Sequence, residues 1–386
     1  MLLAFANGRI LTEDGIREDC VVTVRAGRIE AIVSADTRIG ADHTVDLDGH
    51  LLAPGFVDTQ VNGGGGVLFN DDPSVESIVE IGRAHMRFGT TGFLPTLISD
   101  DLDVVVRAIG AVREAIDRRV PGVLGIHIEG PFLNAERRGV HDATKLRWLD
   151  EDALPLLTAL HGGKTLVTLA PERTTPQMIR RLAESGVIVC AGHTNGTFDE
   201  ITAALAQGLR GFTHLFNAMS QLTGREPGAV GAALADQDSW CGIIVDGHHV
   251  HPAVLRIALR SKRRDRFMLV TDAMPSVGAA NKSFRLQGRP ISVADNMCVD
   301  EHGRLAGSDI DMATAVRNAR RMLGLDLEQA LRMASLYPAE FLGIANEVGR
   351  IAPGYRANLA VLDEDMRVKS VWVDGAEVHR ESTQPA

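Results

Sequence analysis

The sequence predicts a (β/α)8 barrel of the TIM type joined to a small β domain built from both chain ends. Three observations carry this. Across residues 54–346, short apolar runs alternate with helical stretches, the rhythm of a parallel α/β domain. Eight such runs fit into a span close to the length a single barrel takes, about 250 residues. Outside that span, both ends read as short alternating strands punctuated by Gly turns. Chain ends often lie close together, so 1–53 and 347–386 are expected to share one β domain, as a single sheet beside the barrel of 54–346.

Taken in order, the N-terminal strands include Cys20–Arg25 and Arg28–Val33, with a turn at Ala26-Gly27. The barrel runs are Leu51–Val57, Gly92–Leu97, Val123–Ile128, Leu166–Ala170, Val187–Ala191, Gly211–Thr213, Cys241–Val245 and Phe267–Val270. Helical patterns at Val75–Arg87, Val104–Arg118, Thr175–Glu184 and Glu200–Gln207 lie between them. Residues 275–310, rich in Gly turns, read as an insertion after the eighth run, a hairpin and a loop. The tail returns to strands at Ala357–Leu362 and Val368–Val373. An open doubly wound sheet is the competing arrangement. No GxGxxG opens a helix and there is no P-loop, so nothing supports a dinucleotide or nucleoside triphosphate site.

The composition narrows the partners. Forty Lys and Arg against fifty Asp and Glu leave a net charge of −10, a poor field for nucleic acid or an anionic membrane. Cys20, Cys190, Cys241 and Cys298 are scattered without a CxxC, which fits reduced core thiols. Met1–Asn7 is apolar but lacks the basic start and length of an export signal. No stretch approaches the roughly 20 apolar residues of a membrane span. A cytoplasmic enzyme is expected.

The polar residues fall at the carboxyl ends of the apolar runs, where barrels keep their chemistry. Asp58, Gln60 and Asn62 follow the first run, Glu129 the third, His193 the fifth and His214 the sixth. Asp246, His248 and His249 follow the seventh, and Asp272 the eighth. Alone, Glu129 would read as a salt bridge or helix cap. In a barrel these ends form one rim, and Glu129, His193 and His214 converge as two imidazoles and a carboxylate, a donor set suited to catalytic zinc with an open position. Fe2+, Co2+ or Mn2+ fit the same donors. Asp272 is the candidate base for a water on that metal. Arg225 and His249 are candidates to bind an anionic substrate group, against the plainer reading of solvated loop charges. Asn217 and Ala218 follow His214 closely enough to present amide groups to the same ligand. His141 either polarises a substrate carbonyl or lies on the surface.

These residues resemble a known family. Pro54-Gly-Phe-Val-Asp58, Gln60-Val-Asn62 with Gly63–Gly66, His127-Ile-Glu-Gly-Pro131, Ala191-Gly-His193, Thr213–Met219, Thr223–Gly228 and Thr271-Asp-Ala273 are similar to the N-acetylglucosamine-6-phosphate deacetylase family of the amidohydrolase superfamily. The likeness runs from Asn7 to Gly354. It implies a barrel with a β-sandwich from both ends. It further implies hydrolysis of N-acetyl-D-glucosamine 6-phosphate to D-glucosamine 6-phosphate and acetate. One divalent metal, Zn2+ first, would sit on Glu129, His193 and His214, with Asp272 as general base and then acid and His141 helping to stabilise the oxyanion. It implies substrate contacts at Val140, His141, Asn217, Ala218, Arg225, His249, Leu305, Ala306 and Gly307. A homodimer or homotetramer follows, with Arg225 and His249 reaching the phosphate from the neighbouring subunit. The His-x-His of many superfamily members is Gln60 and Asn62 here, and Thr165–Glu172 holds no lysine to carbamylate. That points to a single metal, with Gln60 and Asn62 hydrogen-bonding its water. Another amidohydrolase reaction, such as a cyclic amidase or aminohydrolase, and a non-catalytic descendant of such a barrel are the alternatives.

Overall fold

A computed structural model of the chain describes residues 1–295 and 297–381; the end of the tail, 382–386, lies outside them. Eight strands form one sheet in chain order: Phe56–Val61, Thr90–Ile98, Gly125–Glu129, Lys164–Leu169, Ile188–Ala191, Gly211–Phe212, Trp240–Ile243 and Phe267–Leu269. Every neighbouring pair is parallel. These strands are buried on both faces almost throughout, which is why they read as continuous apolar runs instead of alternating ones.

The sheet closes where the eighth strand meets the first. Asp272 N–H donates to Gln60 O and Asn62 N–H to Ala273 O, both at 3.0 Å. Below them the fully buried carboxylate of Asp58 spans the same seam. Its Oδ2 accepts from Thr271 Oγ1 at 2.5 Å, and its Oδ1 accepts the N–H groups of Gln60 and Thr271 at 3.2 and 3.3 Å. Asp58 is thus a side-chain tie across the barrel closure, a role that its place in the sequence did not suggest.

Helices cover the barrel. Val75–Met86 is capped by Ser74, whose side chain accepts from Ser77 N–H. Leu102–Asp117 turns Val104, Val105, Ala108, Ile109 and Val112 inward, spaced at one helical face. Pro176–Glu184 and Phe198–Leu205 follow, the latter with a reciprocal capping box between Thr197 and Glu200. After the third strand the pattern breaks. Residues 130–163 hold only single turns and the one-turn helix Leu154–Leu157, so this connection is a long structured loop, and it carries His141.

Three expectations are corrected. The run Leu51–Val57 is not one strand. Leu51–Pro54 pairs with Leu359–Leu362, and the barrel strand begins at Phe56. At Gly55 the backbone changes partner, from Asn358 O to Gly89 O one residue later. Both pieces are buried, so apolarity alone could not mark the break. The chain ends form two sheets, not one. A four-stranded sheet takes Leu2–Ala6, Cys20–Arg25, Arg28–Ser34 and His43–Asp46. A six-stranded sheet takes Arg9–Thr12, Gly15–Arg17 and Leu51–Pro54 with Leu359–Leu362, Val368–Val373 and Ala376–Arg380. They enclose a second core that includes Phe5, Val22, Leu52, Leu359 and Trp372, with Phe5 edge-on to Trp372 at 5.2 Å. This is the sandwich that the family resemblance implied. The insertion, finally, is a four-stranded antiparallel sheet, Phe284–Leu286, Arg289–Ala294, Met297–Val299 and Leu305–Ser308. Leu286, Ile291, Cys298 and Ala306 pack there against Ile98 and Met274.

Candidate metal centre and cleft

Glu129 ends the third strand, and His193 and His214 lie just beyond the fifth and sixth. Their donor atoms lie within 4.8 Å of one another and all three residues are buried. His193 Nε2 is 3.1 Å and His214 Nε2 3.0 Å from the same oxygen, Glu129 Oε1, and the two Nε2 atoms are 3.1 Å apart. His193 Nδ1 donates to Arg137 O at 2.9 Å, which leaves a lone pair on Nε2. The His193–Glu129 contact is then between two acceptors, an arrangement that a divalent cation resolves and a neutral hydrogen bond does not. The donor set therefore fits a metal. Burial alone would raise Glu129; His193 and His214 hold it well below the usual carboxylate range only as protonated donors, the role that a cation would take over.

Asp272 stands beside this trio. Asn62 Nδ2 donates to its Oδ1 at 2.6 Å, and Gln60 Nε2 bridges Asp272 Oδ1 and Glu129 Oε1 at 3.1 and 3.2 Å. The two amides thus hold the carboxylates in place. Asn62 Oδ1 is buried without a partner among the described residues. Burial first, and the Glu129 charge second, raise Asp272 to about 6, the range of a group that must take and return a proton near neutrality.

The strand ends open into a cleft of about 340 Å³. Glu129, His193, His214, Asp272, Asn62, Val140, His141, Asn217, Ala218, His249, Leu305 and Gly307 all line it. His141 is buried, not on the surface, and burial beside His193 pushes it down to about 3. His249 lines the cleft of its own chain, so it needs no neighbouring subunit to reach it. Two expected contacts lie outside this lining. Ala306 packs into the insertion core and does not face the cleft. Arg225 is exposed in the loop 221–226, outside the cleft of its own chain. The sequence reading missed Arg137 and Arg304, two cations of the cleft wall, although Arg137-Arg138 sits openly between Glu129 and His141. It also missed the role of Asp246, which accepts from His249 Nδ1 at 2.6 Å and so turns Nε2 away from itself. Burial works against its charge, but this bond and the N–H groups of His248 and His249 hold Asp246 below its ordinary value.

No residue pattern announced the backbone here. His193, His214 and Asp272 have φ of 49°, 33° and 52°. Left-handed conformations cost non-glycine residues about 1–2 kcal/mol each and gather at functional sites. Each turns the chain sharply at a strand end, so the side chain points into the cleft.

Comparison with known proteins agrees with this geometry. The family model described as "Amidohydrolase family" matches residues 51–378. The chain is 44% identical to an N-acetylgalactosamine-6-phosphate deacetylase of Shewanella sp., over 97% of this chain and 95% of that one. It is 36% identical to an N-acetylglucosamine-6-phosphate deacetylase of Haemophilus influenzae, over 97% and 99%. The crystal structure of N-acetylglucosamine-6-phosphate deacetylase from Pasteurella multocida superposes with a TM-score of 0.94 at 36% identity, covering 98% of this chain and 99% of that one.

Proposed function

Given that the chain belongs to the amidohydrolase family and is a hydrolase, we propose that it removes the acetyl group of an N-acetylhexosamine 6-phosphate, N-acetyl-D-glucosamine 6-phosphate in the first reading. The observation that carries this is the placing of Asp272, held by two amides beside three convergent metal donors. Glu129, His193 and His214 would hold one divalent ion, Zn2+ first. When bound, such an ion supplies Lewis acidity to the amide carbonyl and the attacking water. Asp272 takes the proton of that water and passes it to the nitrogen as the C–N bond breaks, leaving acetate and the free amine. His141 faces the carbonyl oxygen, Asn217 and His249 orient the sugar, and Gln60 and Asn62 keep Asp272 aimed. Arg137 and Arg304 offer positive charge within the chain. Arg225 lies outside the cleft of its own chain; in the homodimer or homotetramer we propose, a neighbour supplies it to the phosphate. Among the described residues no helix is long and apolar enough to cross a membrane, and we place the enzyme in the cytoplasm.

The 44% identity to an N-acetylgalactosamine-6-phosphate deacetylase favours a second reading, with the C4 epimer as substrate. Acetate release from both epimeric 6-phosphates, with metal quantified in the same sample, tests both. A higher kcat/KM on the galacto compound selects the second reading. No acetate from either sinks the proposal.

A further inference from the structure

One side of His141 is fastened by parts of the chain that the proposed chemistry does not use. Ser99 directly follows the second barrel strand and is buried. Its backbone N–H donates to His141 Nδ1 at 3.2 Å, and its Oγ lies 2.8 Å from the same nitrogen. A backbone N–H can only donate, so Nδ1 carries the lone pair and the ring proton sits on Nε2. Among the described residues Nε2 has no hydrogen-bond partner, and His141 lines the cleft. The hydroxyl reaches this place only because residue 130 is glycine. A Cβ there would stand 2.2 Å from Ser99 Oγ, on a backbone with φ of 91°.

The insertion grips both members of this pair. Gln287 Nε2 donates to Ser99 O at 3.0 Å, and an Arg289 guanidinium N–H donates to Val140 O at 2.8 Å, one residue before His141. Gln287 and Arg289 flank Gly288 at the tip of the hairpin Phe284–Ala294. Gln287 itself has φ of 49° and Gly288 80°, a two-residue turn of a kind that favours Asn or Asp over Gln at its first position. The side chain is therefore held at a conformational cost, about 1 kcal/mol, where it meets Ser99. Leu286 and Ile291 of the hairpin pack on Ile98, and Val140 packs against the same cluster.

We propose that Ser99 and the hairpin tip Gln287–Arg289 are positioning residues that lock His141 as the Nε2–H tautomer, so that it presents a neutral hydrogen-bond donor to the substrate carbonyl oxygen. The insertion is thus a brace for the cleft as well as a wall of it. The last step, to the carbonyl, rests on the deacetylase reading. The tautomer does not, and the two are tested separately.

The first measurement is 15N NMR of the full chain labelled at histidine, with the His141 signal assigned by its loss in His141→Gln. A pyrrole-type Nε2 and a pyridine-type Nδ1 are expected. The reverse pattern, or a doubly protonated ring at pH 7, overturns the lock whether or not the chain deacetylates anything. The second is kinetic. The amide nitrogen of His141→Gln can stand near Nε2, whereas that of His141→Asn stands near Nδ1, so the first variant should keep about tenfold more kcat. Gln287→Ala with Arg289→Ala should lower kcat about tenfold, leave KM within about twofold, and give a mixed His141 tautomer spectrum. Gln287→Ala alone is the milder variant should the double one fold poorly. Equal loss in the two His141 variants overturns the donor role of Nε2, and an unchanged spectrum and kcat in the hairpin variants overturns the positioning role.

Discussion

Replacing Asp58 with asparagine should flatten the dependence of stability on pH between pH 5 and 8. In the fold the Asp58 carboxyl is fully buried, and burial pushes it from 3.8 up to about 7, although Thr271 and Gln60 donate to it. The unfolded chain ionises the same group near pH 3.9. Between those values the folded chain holds the extra proton. The stabilisation is therefore complete below about 4 and is lost as pH rises through about 7. At about 1.4 kcal/mol per pH unit, the part that falls between pH 5 and 7 is about 3 kcal/mol. When Asp58 is protonated, its O–H donates to Thr271 Oγ1, whose own proton turns to Gln60 O, 3.3 Å away. The asparagine amide copies that arrangement with its N–H group and cannot ionise. Guanidinium unfolding of both proteins at pH 5 and pH 8, at matched metal content, reads the difference. Wild type should lose about 3 kcal/mol more than Asp58→Asn. Parallel pH profiles would show that Asp58 does not titrate at the seam and would refute the reasoning.

Other expectations follow from the same geometry. Asp272→Asn should lower kcat by roughly 10²–10⁴ while the metal stays bound; near-normal turnover would remove Asp272 as the base. Mass spectrometry of metals should find one ion per chain, and Glu129→Gln should lose most of it, because the two imidazoles then lack their anionic partner; two ions per chain would contradict the single-metal assignment. Arg225→Ala should raise KM for the 6-phosphate about tenfold or more with little change on an unphosphorylated acetamide. An equal effect on both substrates would show that Arg225 does not read phosphate.

Much of this was legible in residue order. Parallel strands buried on both faces leave apolar runs, and the runs around Thr90–Ile98, Gly125–Glu129 and Lys164–Leu169 were readable to within a few residues. The convergence of Glu129, His193 and His214 was readable because a barrel puts all carboxyl ends on one rim. What escaped depends on hydrogen bonds between segments distant in sequence. Leu51–Pro54 and Phe56–Val61 have the same apolar character and differ only in their partners. Gln287 and Ser99 are 188 residues apart, and neither belongs to a pattern. The positive φ of His193, His214 and Asp272 leaves no compositional trace, since none of them is glycine. Arg137 was visible, but nothing in the sequence distinguished it from Arg138 beside it.

The six-stranded sheet interleaves the two ends of the chain, with Leu51–Pro54 lying against Leu359–Leu362. During synthesis the first strands emerge about three hundred residues before the partner that covers them. Until residues past 359 leave the ribosome, Leu51–Pro54 presents an uncovered edge of backbone donors and acceptors. The barrel between them can complete its sheet earlier, because each of its strands pairs with the next in order. Vectorial folding therefore finishes at the sandwich, and the interval before release is when a chaperone has most to protect.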